Sequence, residues 1–151
     1  MISSEEVHMI QLLTEAIFPG ANEARVYEFI LRDMRSNPWM AKTYRQTLGE
    51  LNELSFQMYK TNIIQLDNEQ LTRLLVRYET TPFFQFMREH TLEGMFSDPI
   101  YGGNYKAYGW RLIGFAGSTF HPPETLDEAQ PPTVYYSLEG IAYENKDKDG
   151  L

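Results

Sequence analysis

Glycine and proline are distributed very unevenly along this chain of 151 residues, and that distribution limits where long helices can form. Eight of the ten glycines lie at or after Gly94, and five of the eight prolines lie at or after Pro99. Both residues disfavour helix interiors, because glycine costs backbone entropy and proline removes an amide donor. The first 97 residues can therefore form helices, whereas the last third favours loops and extended segments.

Four residue pairs in the first part of the chain are typical of helix N-termini. They are Ser3 with Glu6, Asn37 with Pro38, Asp67 with Gln70, and Thr81 with Pro82. Apolar residues follow each pair at spacings of three and four, and a further amphipathic segment runs from about Asn22 to Arg35. We therefore predict an all-α fold, a compact bundle of about five or six helices, with at least five helices in residues 3–97 and no sheet of three or more strands.

Two features of these helices predict how they pack. Gly49 lies inside the third predicted helix, and we expect a close helix crossing there because an interior glycine otherwise costs roughly 1 kcal/mol relative to alanine. The fifth predicted helix carries apolar residues around most of its circumference. We therefore expect it to be central and buried on several sides.

The segment from residue 98 to 117, called here the signature loop, combines glycines with aromatic residues. Glycine lets another surface approach closely, and tyrosine and tryptophan often anchor interfaces. We expect a short helix within about Lys106 to Ile113, and we expect the loop to lie outside the helical core and contact a partner. Trp110→Ala should then impair assembly and leave the helices intact. The same aromatic residues could instead fill a core, and that alternative stays open.

The chain after the loop forms a second region, an extended proline-rich C-terminal arm over residues 118–151, following a helical domain over residues 1–117. Its paired prolines favour extended backbone. Apolar residues between Val134 and Tyr143 are too numerous for a solvated linker, so we expect the arm to pack either on its own domain or on another chain.

Composition excludes several classes of partner. The net charge of −8 repels phosphate groups, so we expect no nucleic-acid partner. No apolar run reaches the length of a membrane-spanning helix, so we expect no membrane insertion. Cysteine is absent, which leaves the cellular compartment open. The sequence as it stands begins Met-Ile-Ser-Ser-Glu-Glu without a basic region before an apolar one, and from it we expect a cytoplasmic protein.

Candidate catalytic and metal-binding residues are few. Glu5 and His8 have the spacing used in di-iron helical bundles, but half of that motif is missing. His90 shares a helix face with phenylalanines and is interpreted as a buried, hydrogen-bonded histidine rather than an acid/base group. Glu93 and Asp98 are interpreted as structural, with Asp98 capping a turn. The glycines match neither a dinucleotide-binding nor a P-loop pattern. We therefore predict no catalytic, cofactor or metal site in this chain.

The strongest motif reads Glu93-Gly-x-Phe-x-Asp-Pro-x-Tyr-Gly-Gly-Asn104, followed by Gly109-Trp-x-x-x-Gly-Phe115. It resembles the signature of the gluconate 2-dehydrogenase subunit 3 family. The resemblance implies a non-catalytic small subunit that accompanies a large FAD-dependent dehydrogenase of the glucose-methanol-choline type, acting on a sugar, polyol or sugar acid. It also implies that FAD lies in the partner subunit, and it makes a cytochrome c a candidate electron acceptor. Many members begin with a twin-arginine signal, so a periplasmic location is the alternative if such a signal has been removed.

Combined with the aromatic content, the resemblance predicts a partner interface. Its residues are Asp98, Pro99, Tyr101, Gly102, Gly103, Asn104, Tyr105, Tyr108, Trp110, Arg111, Phe115, Tyr135 and Tyr136.

Two other functions stay open. One is a free-standing helical protein-binding or assembly module, and the other is a small enzyme that uses His90 and neighbouring carboxylates.

Overall fold

Helices account for most of the computed structural model, which describes residues 1–117, 134–139 and 141–144. The six α-helices in that part are α1 (Ser4–Ile17), α2 (Val26–Ser36), α3 (Pro38–Tyr59), α4 (Asn68–Tyr78), α5 (Pro82–Phe96) and α6 (Tyr108–Ile113). Short 3-10 helices span Ile63–Gln65, Pro99–Tyr101 and Tyr105–Ala107. Strands β1 (Val134–Tyr136) and β2 (Ala142–Glu144) form an antiparallel hairpin. The prediction of an all-α bundle is confirmed, and so is the short helix before Ile113.

The predicted capping pairs mark helix starts. At α1 the Glu6 amide donates to the Ser3 hydroxyl at 3.1 Å, and the Ser3 amide donates to the Glu6 carboxylate at 2.6 Å. Asp67 and Gln70 exchange the same pair of bonds at α4. Each such cap stabilises a helix by roughly 0.5–2 kcal/mol, because it satisfies amides that have no partner within the helix. Local side-chain chemistry therefore sets where these helices begin.

The core lies where α2 packs on α1, α3 and α5. Fully buried side chains from each of these helices meet there, including Leu13, Ile30, Leu51 and Met95. Helix α5 also packs on α1 and α6, which confirms the prediction that it is buried on several sides. Its C-terminal end carries the signature loop. Within the described ranges, no helix is both long and apolar enough to span a bilayer.

The predicted helix crossing at Gly49 is wrong. Gly49 is exposed, and a Cβ added there would meet no atom within 4 Å. The close crossing lies instead at Gly94 in α5, where an added Cβ would stand 2.8 Å from Cγ1 of Val26 in α2. The requirement for a small residue therefore belongs to α5 rather than α3.

Helix α2 begins later than its amphipathic pattern predicts, at Val26 instead of about Asn22. Arg25 adopts a left-handed conformation with φ 51°, which cannot continue a right-handed helix. The turn before it buries Ala21 and Ala24 completely, and the Val26 amide donates to the Ala21 carbonyl at 3.0 Å. Tertiary burial of this turn therefore overrides the local helix pattern.

Candidate functional site

Asn104 is the residue that organises the signature loop. It is fully buried and adopts a left-handed backbone conformation, with φ 49° and ψ 42°. Its side-chain oxygen accepts hydrogen bonds from the amides of Gly109 at 2.8 Å and Trp110 at 3.3 Å, and its side-chain nitrogen donates to the Ser97 carbonyl at 2.9 Å. One asparagine thus joins the end of α5 to the first turn of α6.

Gly103 and Gly109 of the motif lie where two backbones touch. A Cβ on Gly103 would stand 2.1 Å from the carbonyl oxygen of Gly94, and one on Gly109 would stand 1.9 Å from that of Met95. Both distances are far inside van der Waals contact, so any larger residue would push the loop away from the last turn of α5. These glycines are therefore required by packing within the chain.

Trp110 is a core residue of the loop. It is 1% exposed, and its indole nitrogen donates to the Phe96 carbonyl at 2.8 Å. With Ala107 and Tyr135 it forms a small buried cluster separate from the main core, against which Tyr143 also packs. Trp110 therefore lies outside the main helical core, as expected, but it is buried in a cluster of its own, which agrees with the alternative that the aromatic residues fill a core.

Asp98 fastens the C-terminal hairpin to this cluster. It is 5% exposed, and one carboxylate oxygen accepts from the Ile100 amide at 3.0 Å, as the predicted turn cap requires. The other oxygen accepts from the Leu138 amide at 2.7 Å. The described part of the arm thus packs on the chain's own loop, with Tyr135 beside Trp110. The division of the chain at residue 117 stays a prediction, and residues 118–133 and 145–151 of the arm lie outside the described residues.

The predicted interface residues fall into three groups by exposure. Tyr101, Tyr105 and Phe115 are exposed, Pro99, Gly102, Tyr108 and Arg111 are half-buried, and Asp98, Gly103, Asn104, Trp110 and Tyr135 are buried. Tyr136 lies in β1, and its side chain lies outside the described set. The structure brings these residues into one unit, yet most of the buried ones hold the loop together. Their role in a partner interface stays a prediction.

Four exposed apolar residues in this unit are not among the predicted interface residues: Leu112, Ile113, Leu138 and Ile141. Helical geometry could have found the first. Leu112 lies two positions after Trp110, which places it about 200° further round the helix and so on the opposite side. A buried Trp110 therefore turns Leu112 towards solvent, where its side chain is 55% exposed.

His90 takes part in a polar chain between α2, α3 and α5, in which His90 and Tyr44 are buried and Asp33 is half-buried. Its Nδ1 lies 2.8 Å from the Tyr44 hydroxyl, and its Nε2 lies 2.8 Å from an Asp33 carboxylate oxygen. Burial raises the pKa of Tyr44 far above its usual range, so the phenol stays protonated where it is bonded to Nδ1. The rings of Phe29 and Phe86 pack against the imidazole, and the interpretation of His90 as a buried, hydrogen-bonded histidine is confirmed.

The family model described as gluconate 2-dehydrogenase subunit 3 matches residues 4–117, which span α1 to α6 and the whole signature loop. A search of curated proteins and a search of solved structures gave no match. The match confirms the resemblance carried by the motif from Glu93 to Phe115. This chain therefore belongs to the gluconate 2-dehydrogenase subunit 3 family.

Proposed function

We propose that this chain is the non-catalytic small subunit of a dehydrogenase complex and is needed for assembly or stability of the catalytic subunit. In this proposal the catalytic subunit is a large FAD-dependent protein of the glucose-methanol-choline type, which oxidises a sugar, polyol or sugar acid. The observation that carries the proposal is the family match over residues 4–117, because the family is described as a subunit of gluconate 2-dehydrogenase.

The arrangement of the polar residues supports a non-catalytic role. The side chains of Asn104 and Asp98 are occupied by hydrogen bonds within the loop and to the hairpin. The imidazole of His90 is covered by aromatic rings and is 3% exposed, while its partner Asp33 is 39% exposed. An acid or base must reach its substrate within hydrogen-bond distance, so this histidine is poorly placed for catalysis.

A groove of about 250 Å³ between α1, α4 and α5 does not favour the enzyme alternative either. Its floor is apolar, with Ile17, Leu75 and Phe84 among the lining residues, and Glu79 and Arg88 are its charged residues. His90 lies in another part of the bundle, so its polar chain and the groove do not combine into a reaction centre. The oxidation chemistry in this proposal therefore comes from the flavin of the partner subunit.

Co-purification tests the proposal. The chain would be expressed with a terminal tag together with the neighbouring genes of its source genome, and the eluate examined by mass spectrometry and by flavin absorbance. We expect a large flavoprotein to elute with the chain at a constant ratio, with dehydrogenase activity towards a sugar, polyol or sugar acid. The chain purified alone should be colourless and inactive.

Two results would contradict this proposal. One is a flavin spectrum in the chain purified alone, and the other is a neighbouring flavoprotein that is soluble, active and unbound whether or not this chain is present. The same eluate tests two further parts of the proposal, since a haem spectrum would identify a cytochrome c acceptor. Fractionating the source cells would place the complex in the cytoplasm or, after removal of an export signal, in the periplasm.

A further inference from the structure

Two side-chain hydroxyls of the C-terminal hairpin are buried with no polar group to bond. Among the described residues, neither the Tyr135 hydroxyl nor the Ser137 hydroxyl has a hydrogen-bond partner, although the two residues are 0% and 1% exposed. Most buried hydroxyls in folded proteins are paired, because an unpaired one has lost its hydration without compensation. The packing of the hairpin therefore carries an unfavourable contribution at two of its own residues.

Both hydroxyls belong to the side of the hairpin that meets the signature loop. Tyr135 lies in β1 and packs in the small cluster with Ala107 and Trp110. Ser137 follows β1 directly, and its amide still donates to the Ile141 carbonyl at 3.0 Å. Side chains two positions apart on extended backbone lie on the same face. The unfavourable contribution therefore belongs to the contact between the hairpin and the loop.

The hairpin depends on this contact for its order. Its strands are three residues each, and an isolated two-stranded hairpin is at best marginally stable in water. Between described residues, one hydrogen bond joins the hairpin to the loop, from the Leu138 amide to the Asp98 carboxylate at 2.7 Å. The rest of the attachment is apolar burial of Tyr135, with Tyr143 beside it. Separation from the loop would therefore release the hairpin as a unit.

The loop itself is held by bonds that do not involve the hairpin. The Asn104 side chain is bonded to the amides of Gly109 and Trp110 and to the Ser97 carbonyl, and the Trp110 indole donates to the Phe96 carbonyl. These bonds join the loop to the end of α5 and to α6. Release of the hairpin would therefore leave the loop and the helices in place.

We propose that the hairpin is a displaceable cover, which opens as a unit while α1–α6 stay folded. Opening lets water hydrate the two hydroxyls, and this hydration offsets part of the cost of exposing the apolar cluster. It also uncovers the side of the Trp110 ring that Tyr135 covers in the closed form. Segments of low local stability commonly supply the moving parts of proteins. The proposal concerns the hairpin alone and does not rest on the proposed function.

Single cysteines report the opening, because the chain has no cysteine of its own. Ser137→Cys places a thiol beneath the hairpin, and Ser55→Cys places a matched thiol in α3, where the serine is equally buried. Each full-length variant would be treated with a thiol reagent in native buffer. We expect Ser137→Cys to react about tenfold or more faster than Ser55→Cys, because opening the hairpin requires less free energy than opening the bundle.

Tyr135→Phe tests the role of the unpaired hydroxyl. Phenylalanine has no hydroxyl to hydrate in the open form, so the hairpin should open less often. Combined with Ser137→Cys, it should slow modification about fivefold or more relative to Ser137→Cys alone. Modification that is unchanged or faster would show that the Tyr135 hydroxyl is already paired, for example with a buried water, and would overturn the proposal.

Two further results would also overturn it. Modification of Ser137→Cys no faster than that of the bundle control would show that the hairpin opens only when the bundle unfolds. Modification at the rate of a thiol in an unfolded peptide would show that the hairpin does not pack on Trp110 at all. Circular dichroism checks that each variant keeps the parental helices. If Ser55→Cys does not, Thr91→Cys in α5, also at a fully buried site, takes its place as the control.

Discussion

Asn104 shows how much of this family motif serves the fold. It makes three hydrogen bonds that no apolar residue could replace, and it adopts a left-handed conformation that asparagine tolerates better than most residues. Gly103 and Gly109 on either side are fixed by backbone contact with α5. A residue pattern that first suggests a flexible contact loop thus describes a tightly packed corner.

Replacing Asn104 should therefore destabilise the isolated chain. Asn104→Ala leaves the Gly109 and Trp110 amides without their acceptor, and we expect a loss of about 2–4 kcal/mol in the free energy of unfolding or of local opening of the loop. Urea denaturation and proteolysis of the loop would measure it. The control Asn22→Ala removes an exposed asparagine side chain and should change neither quantity. Parental stability in Asn104→Ala would show that the Asn104 bonds contribute nothing.

Tyr44 makes the stability of the bundle sensitive to alkali. Its pKa is raised by burial, so the folded chain holds this proton above pH 10 while the unfolded chain releases it. The contribution of the buried Tyr44 phenol to the free energy of unfolding is fully present below pH 10. It is lost as pH rises above 10, with a slope of about 1.4 kcal/mol per pH unit. Tyr44→Phe should be less stable at neutral pH, because the buried Nδ1 of His90 loses its hydrogen-bond partner, and should show a shallower alkaline slope. Urea titrations at several pH values measure both, and an identical slope in parent and variant would refute this account of Tyr44.

At the scale of the element, the glycines inside α3 and α5 have opposite roles. Gly49 lies on the open side of α3, so Gly49→Ala should stabilise the chain by about 0.5–1 kcal/mol through helix propensity alone. Gly94 touches Val26 at the crossing of α5 and α2, so Gly94→Ala should cost about 1–3 kcal/mol through overpacking. Thermal melting of both variants beside the parent tests the pair. A rise in melting temperature for Gly94→Ala would contradict the crossing.

Helix starts could be predicted from the sequence because a capping pair acts within four residues. Ser3 with Glu6 and Asp67 with Gln70 needed no knowledge of the rest of the fold. Glycine contacts could not be predicted in this way. Gly49 and Gly94 both lie in amphipathic helices, and only the three-dimensional arrangement decides which of them meets a neighbour. The hairpin strands are three residues each, too short for a period-two pattern to identify them.

The placement of a partner interface at residues 98–117 stays a prediction, but how these residues pack could not be predicted from the sequence. Glycine and aromatic content singled out the segment, yet tyrosine and tryptophan are common both in cores and at interfaces. Trp110 therefore could not be assigned to the interior from the sequence. The exposed positions of Leu112 and Ile113 depend on that burial, because it fixes which side of α6 faces solvent.

At the scale of the whole molecule, the buried side chains of the described residues form two packed regions. The bundle α1–α5 supplies most of the buried core, while the signature loop, α6 and the hairpin form a smaller packed unit that leaves Leu112, Ile113 and Phe115 exposed. This smaller unit is folded in the chain without a partner. A flexible loop that orders only on binding would need a different explanation for the glycines and Asn104.

Hydrogen exchange of the isolated chain tests that claim most directly. The amides of Tyr105, Gly109 and Trp110 donate to Ala24 and to the Asn104 side chain at distances of 2.8 to 3.3 Å. We predict that these amides are protected to a degree comparable with those in the last turns of α5, because hydrogen-bonded amides exchange only when the structure opens. Exchange of residues 98–117 at the rate of an unstructured peptide, with α5 still protected, would contradict the account.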